Sequence, residues 1–180
     1  YGMIENIDEN VGRMIKQLAE WRLLENTVIL FMTDNGMPGK TYGLAEEGTR
    51  IGQDEHGAPM LAYNAGMRGY KGSVHEGGVR VPFLVRWDGR IKPGRDIDRI
   101  ADHIDILPTL AALAGAELPS DQVDGRNNLP LLEDPGAADH WKDRFLFSHR
   151  ANWPEGQNLE QAQWKNAAVR NQRFRLVNND

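Results

Sequence analysis

Apolar residues recur at steps of three and four along the start of the chain, at Met3, Ile4, Ile7, Val11, Met14, Ile15 and Leu18, with Glu, Asp, Lys and Arg between them. On a 3.6-residue helix that spacing gives one apolar stripe, so the segment predicts an amphipathic helix laid over a sheet. After EWRLLEN the pattern changes. TVILFM at 27–32 is a short, continuous apolar run rich in β-branched residues, which predicts a strand covered on both faces. A helix followed by a buried strand points to an α/β class. VRVPFLVRW at 79–87 reads as a second strand, with Pro82 removing a ladder donor and marking a start or an edge. DHIDILPTLAALAGAELP predicts a helix capped by Asp105, with Pro108 in its first turn and Gly115 at its end.

Between the two strands lies a long segment, 36–78, crowded with glycine and polar residues. Connections beyond about 15 residues without regular structure are uncommon and usually functional or disordered, and this one is read as a loop that builds a site. ELPSDQVDGRNNLPLLEDPGAADHWKD is rich in Pro, Gly and Asp and reads as a linker. RFLFSHR and AAVRNQRFRLVNN then predict strands of a small antiparallel sheet, with RNQ as a turn.

Composition narrows the function classes. A chain of 180 residues with 40% hydrophobic and 26% charged content can bury a core, and it has no apolar run long enough to span a bilayer. The net charge of −5, without a Lys/Arg stripe, leaves no electrostatic footprint for nucleic acid. There is no cysteine, so disulfides, thiolate chemistry and zinc–sulfur sites are excluded. The helical pattern begins at the first residues, without an initiator Met or a leader, so the chain reads as the back half of something longer.

Two groups of residues carry candidate chemistry. Asp34-Asn35-Gly36 follows the first strand directly. Asn-Gly is a strong hairpin signal, but the residues after it, MPGKTYG, show no alternation to form a second arm. The other reading sets Asp34 and Asn35 at the carboxyl end of a buried strand, where ligand sites of open α/β sheets collect. A carboxylate and an amide carbonyl are hard oxygen donors suited to Ca²⁺ or Mg²⁺, yet two are too few for a shell of about six to eight. The second group is GMRGYKGSVHEGGVRVP at 66–82. Lys71 is either a solvated loop lysine or an ammonium placed on a tetrahedral oxyanion, and Arg68 or Arg80 would pair with Glu76 to lock the loop.

YGMIENIDENVGRMIKQL, ENTVILFMTDNG, YNAGMRGYKGSVHEGGVRVPFLVRW, DHIDILPTLAALAG, DGRNNLPLL and AVRNQRFRLV occur in the order found in the C-terminal half of type I sulfatases, the arylsulfatase family, which the chain resembles over nearly its whole length. The resemblance implies the C-terminal portion of an alkaline-phosphatase-like sheet sandwiched by helices, residues 1–118. Residues 119–180 would be a linker and the start of a small antiparallel-sheet subdomain. It implies that Asp34 and Asn35 bind a divalent cation, Ca²⁺ or Mg²⁺, and that Lys71 contacts the sulfate. The family usually has an aromatic residue at 75, so His75 either fills that packing position or reaches the sulfate as a proton donor.

The formylglycine nucleophile of the family arises in a C/S-x-P-x-R motif, which these residues lack. It is expected only in an N-terminal half, which is then a partner of this stretch, and the stretch alone is expected to be inactive. The implied substrate is a sulfated small molecule or glycan, and the implied location periplasmic or extracellular. Two alternatives stay open: hydrolysis of a phosphate mono- or diester or a phosphonate on the same scaffold, and a non-catalytic remnant domain. His56 reads as a substrate contact or a loop residue, and His103 as a partner for Asp105. Trp87, Trp141, Trp153 and Trp164 read as core or lid packing rather than stacking platforms.

Overall fold

The computed structural model of the protein describes residues 2–37, 50–53, 55–61, 64–119, 123–150, 156 and 158–178. The chain divides into two compact units. One is built from 1–31 and 83–141, the other from 32–82 and 142–180.

In the first unit the helix α1, Gly2–Glu20, forms over the expected stripe. Glu9 with Arg13 and Lys16 with Glu20 pair one turn apart on its surface, contacts worth a few tenths of a kcal/mol each. The stripe is only partly covered, with Val11, Ile15 and Leu18 half-buried. Met3 is 85% exposed, Ile4, Ile7 and Met14 are also exposed, and no residue of α1 is buried. Among the described residues the first turns of this face, at Met3, Ile4 and Ile7, have no covering layer. The strand β1, Ile29–Met32, is half-buried along its length rather than covered on both faces.

The expected second strand also shifts. Glu76–Val79 forms a one-turn helix and only Phe83–Arg86 is strand, so Val79 to Pro82 lead into the strand rather than belong to it. Pro82 stands immediately before that strand, where a missing N–H removes no ladder bond. Phe83–Arg86 pairs with β1 in a two-stranded sheet. The helix Ile106–Ala114 lays Ile106, Leu110 and Leu113 toward Val28 and Leu30 of the β1 segment across a small void. This cover on one side accounts for the half-buried strand.

The helix Ile106–Ala114 starts and stops on side-chain chemistry. It is entered through a 3₁₀ turn, His103–Asp105, closed by a capping box between Asp102 and Asp105. It ends at Gly115, whose φ of 64° is left-handed, with Ala116 N–H donating to Ala111 O at 2.9 Å and Gly115 N–H to Ala112 O at 3.3 Å. That pair of bonds is a Schellman end. Asp105 is 1% exposed and its carboxylate accepts from Asp102 N–H, Arg126 N–H and Asn128 Nδ2 at 2.9, 2.8 and 3.2 Å. Thr109 extends the group by donating to Asp105 O and accepting from Asn128 N–H. His103 Nδ1 lies 3.9 Å from the Asp102 carboxylate. A short helix at Leu129–Glu133 follows, and Arg95 donates to the carbonyls of Leu131 and Leu132.

In the second unit the long segment expected to be irregular contains a hairpin. Here β2, Arg50–Gln53, pairs antiparallel with β3, Pro59–Leu61. The one-turn helix Glu76–Val79 is α2, and in chain order the strand Phe83–Arg86 is β4, the helix Ile106–Ala114 is α3 and Leu129–Glu133 is α4. The expected small sheet is present: β5, Leu146–His149, β6, Ala167–Arg170, and β7, Arg175–Asn178, are antiparallel in the order β5-β6-β7, with a short helix α5, Leu159–Ala162, between the first two. Asn171 makes the turn, its Oδ1 accepting from Arg173 N–H and Phe174 N–H. Register separates the faces. Phe147, Val169 and Leu176 lie in one row, with Phe147 78% and Leu176 72% exposed, while Leu146, Arg170 and Arg175 lie in the adjacent row on the opposite face. No helix among the described residues is long and apolar enough to cross a membrane.

In the intact protein Asp105→Ala strands three polar hydrogens inside the first unit, at an expected cost of about 3 kcal/mol or more. Chemical denaturation measures it, and a loss under about 1 kcal/mol would show that water replaces the carboxylate at no great cost.

Candidate active site

Beyond β1 the chain runs through Thr33, Asp34, Asn35 and Gly36. Thr33 Oγ1 donates to Asn35 O at 3.1 Å, Asp34 is exposed and Asn35 half-buried. The disfavoured hairpin is absent, since β1 pairs with β4 and the chain after Asn35 meets the second glycine-rich group instead. Gly36 N–H donates to Gly78 O at 3.0 Å, and Lys71 N–H donates to Met37 O at 2.8 Å. The end of the strand and the loop 66–80 are thus bonded backbone to backbone.

That approach requires glycine. A Cβ on Gly36 would overlap the carbonyl of Gly77, and a Cβ on Gly77 would overlap Gly69 O and Asn64 Nδ2. Gly77 N–H donates to Arg68 O, and the buried Asn64 donates from Nδ2 to Met67 O and Gly69 O at 3.0 and 2.7 Å. Ser73 N–H donates to Tyr70 O, and Tyr70 N–H to Ser73 Oγ, folding the turn on which Lys71 sits exposed. Asp34, Asn35 and Lys71 therefore belong to two segments held in register by main-chain bonds.

Glu76, the first residue of α2, is gripped from the small sheet. Arg170 Nη1 and Arg175 Nη2 both lie on Glu76 Oε1, at 2.9 and 2.8 Å, and Arg175 Nη1 donates to Val74 O at 2.6 Å. The partners expected from sequence were Arg68 or Arg80. Arg80 stands 4.0 Å from Glu76 Oε2, at the limit of an ion pair, while the close contacts come from β6 and β7. Sequence reasoning missed these two arginines. The signal available was their shared sheet face across a short turn, without any sign of what that face meets.

The oxygen pair Asp34 and Asn35 fits a hard divalent cation by donor chemistry. Among the described residues no group of three or more His, Cys, Asp or Glu side chains gathers as a metal cluster, so these two atoms would supply part of a shell. His75 is half-buried before α2, and burial first, then the charges of Arg68 and Arg175, hold its imidazole below the ordinary value. His56 sits on the surface, 3.5 Å from Glu55.

Because the folded imidazole protonates less readily than the unfolded one, the contribution of His75 to stability is complete above about pH 6.5 and is lost as pH falls through the folded value. Thermal midpoints of the intact protein between about pH 7 and pH 5 are expected to fall less steeply for His75→Gln than for the native protein. Parallel slopes would show that His75 does not carry this acid sensitivity.

Comparison with known proteins identifies the family. Residues 1–116 match the Sulfatase family model, and residues 69–179 match the model described as N-sulphoglucosamine sulphohydrolase, C-terminal. Steryl-sulfatase of Mus musculus is 38% identical over 167 residues, 92% of this chain and 24% of that protein. Arylsulfatase A of Homo sapiens is 37% identical over 130 residues, 72% of this chain and 22% of that protein. Among solved structures, the PsFucS1 sulfatase from Pseudoalteromonas sp. matches with a TM-score of 0.65 at 27% identity, covering 92% of this chain and 27% of that one. A protein solved in complex with its substrate D-glucosamine-2-N,6-O-disulfate matches with a TM-score of 0.64 at 27% identity, covering 97% and 29%. The chain spans about a quarter of the length of the curated relatives it matches. The α/β class with an alkaline-phosphatase-like architecture, followed by a small antiparallel sheet, is the one these neighbours share. With a family model over more than half of its residues and relatives this similar along nearly all of it, the chain belongs to the sulfatase family.

Proposed function

We propose that this chain is the C-terminal part of a metal-assisted sulfuric ester hydrolase. Residues 1–118 would belong to the catalytic domain and 119–180 to a linker and the start of the small subdomain. The observation that carries the reading is the backbone junction of Gly36 with Gly78 and of Lys71 with Met37. It ties the segment bearing Asp34 and Asn35 to the loop bearing Lys71 in a chain of the sulfatase family.

In this reading Asp34 and Asn35 hold Ca²⁺ or Mg²⁺ together with donors from elsewhere in the longer protein. The ion would neutralise sulfuryl oxygens as the ester bond breaks. Lys71 places an ammonium on the same sulfate, a preorganised charge aimed where negative charge develops. His75, whose imidazole burial and two guanidiniums make harder to protonate, serves as a wall of the loop and a weaker candidate for a substrate contact. The nucleophile would be a formylglycine outside residues 1–180. The substrate class is a sulfated small molecule or glycan, in keeping with the disulfated glucosamine bound by one structural relative. A periplasmic or extracellular location follows from the same family reading.

The test uses the full-length protein with para-nitrophenyl sulfate and para-nitrophenyl phosphate. Hydrolysis of the sulfate ester in preference to the phosphate is expected, and the opposite preference would replace sulfatase with phosphatase chemistry. Lys71→Ala is expected to lower turnover by about 10²-fold, as loss of an oxyanion donor does in other enzymes. Turnover within about threefold of native would remove Lys71 from the reaction. Asp34→Asn is expected to weaken metal binding so that activity returns with excess Ca²⁺. A variant indifferent to both chelator and added metal would contradict the assignment of Asp34.

A further inference from the structure

We propose that Arg170 and Arg175, on the small C-terminal sheet, are positioning residues for the reaction: they fix the loop that carries Lys71 by clamping Glu76 and the carbonyl of Val74. The proposal rests on the reading of Lys71 as a sulfate contact. Neither arginine belongs to the motifs that marked the site, and neither is placed against the substrate.

The geometry is specific. Arg170 and Arg175 are cross-strand partners in the β6–β7 register, so their side chains leave the same face of the sheet. Two like charges directly opposite each other repel and disfavour the pairing. A shared anion removes the penalty, and Glu76 Oε1 is that anion, at 2.9 Å from one guanidinium and 2.8 Å from the other. Arg175 also spans to Val74 O at 2.6 Å, so its planar fork holds the loop at two points two residues apart. A lysine reaches one of those points only.

From Glu76 the connection to the site is short. Glu76 opens α2, and the next two residues, Gly77 and Gly78, are buried and bonded to Arg68 O and to the N–H of Gly36. Lys71 lies inside the same turn, tied to Met37. Displacing Glu76 would shift the glycine contact and, with it, the relation of Lys71 to Asp34 and Asn35. Misplacement by about 1 Å costs an enzyme roughly 10²-fold.

The clamp is poorly optimised as a source of stability alone. Glu76 Oε2 and Arg175 Nε are buried without a hydrogen-bond partner among the described residues, and the Arg175 side chain is only 14% exposed. Buried ion pairs are often matched or exceeded in stability by apolar residues of the same volume. What the ion cluster supplies that an apolar contact does not is a directional hold on one carboxylate and one carbonyl.

The experiment compares the full-length native protein with Arg175→Gln, Arg175→Lys, Glu76→Gln and the double variant Arg175→Gln/Glu76→Gln. Two readouts are taken, hydrogen exchange of the amides in 69–78 and in α3, and kcat and KM on para-nitrophenyl sulfate. Arg175→Gln is expected to speed exchange at Lys71, Gly77 and Gly78 by about tenfold or more while α3 amides are unchanged. It is expected to lower kcat by about tenfold to a hundredfold with KM within about threefold. Arg175→Lys recovers part of kcat, and the double variant is no worse than the poorer single one, as for residues acting through one contact.

Unchanged exchange in 69–78, an equal rise in α3, an unaffected kcat, or losses that multiply in the double variant would each overturn the proposal. If the native protein cleaves no sulfate ester, the functional reading fails by itself. Exchange in 69–78 then decides whether the arginines hold the loop: faster exchange keeps the clamp, and unchanged exchange removes it.

Discussion

The second unit is organised around a carboxylate that cannot be left alone. Glu76 lies with one oxygen buried and the other between two guanidiniums, and a buried charge without compensation costs several kcal/mol. The anion also permits the sheet to carry two arginines in register, which would otherwise repel. One interaction therefore serves both sides: the sheet face is neutralised, and the glycine-rich loop acquires a fixed end. With that end fixed, Gly77 and Gly78 come close enough to Gly36 that no Cβ fits between the chains. Chemistry at the loop then depends on distances set by main-chain bonds rather than on flexible side chains.

A different carboxylate plays the organising part in the first unit. Asp105 gathers three donors from the 3₁₀ turn and from the Arg126–Asn128 segment, and so joins the start of α3 to the chain that leads into α4. The comparison separates two uses of an acid: at Asp105 amides of Asp102, Arg126 and Asn128 donate to the carboxylate and join two stretches of chain, whereas at Glu76 the donors are long side chains from a distant part of the sequence. The first is a capping device and the second a tether between remote segments.

This difference accounts for what could be read from the residues alone. Periodicity found α1, the Gly115 stop of α3 and the β6–β7 hairpin with its Asn171 turn, because each is decided by neighbours within a few positions. Periodicity did not reveal that the first turns of the α1 stripe stay exposed, since a stripe states an apolar face without naming its partner. The hairpin of β2 and β3 was hidden because RIGQ and PML are short and set among Gly and Pro. The helix α2 was hidden because EGGV carries two poor helix formers. Asp34, Asn35 and Lys71 were legible as candidates through donor chemistry and family resemblance. The partners of Glu76 were not, because Arg68 and Arg80 are near in sequence and Arg170 and Arg175 are near only in the fold.

Glu76 and Arg170 are 94 positions apart, and Val74 and Arg175 are 101 apart. A ribosome adding about 5 to 20 residues per second would release the loop roughly 5 to 20 s before its arginines exist. During that interval the glycine-rich turn has only its bonds to Gly36 and Met37, and Glu76 stays in water. Vectorial synthesis thus leaves assembly of this region as a late event, completed when β6 and β7 emerge. A truncation or stall before those strands would yield a polypeptide carrying Asp34, Asn35 and Lys71 without the clamp on Glu76.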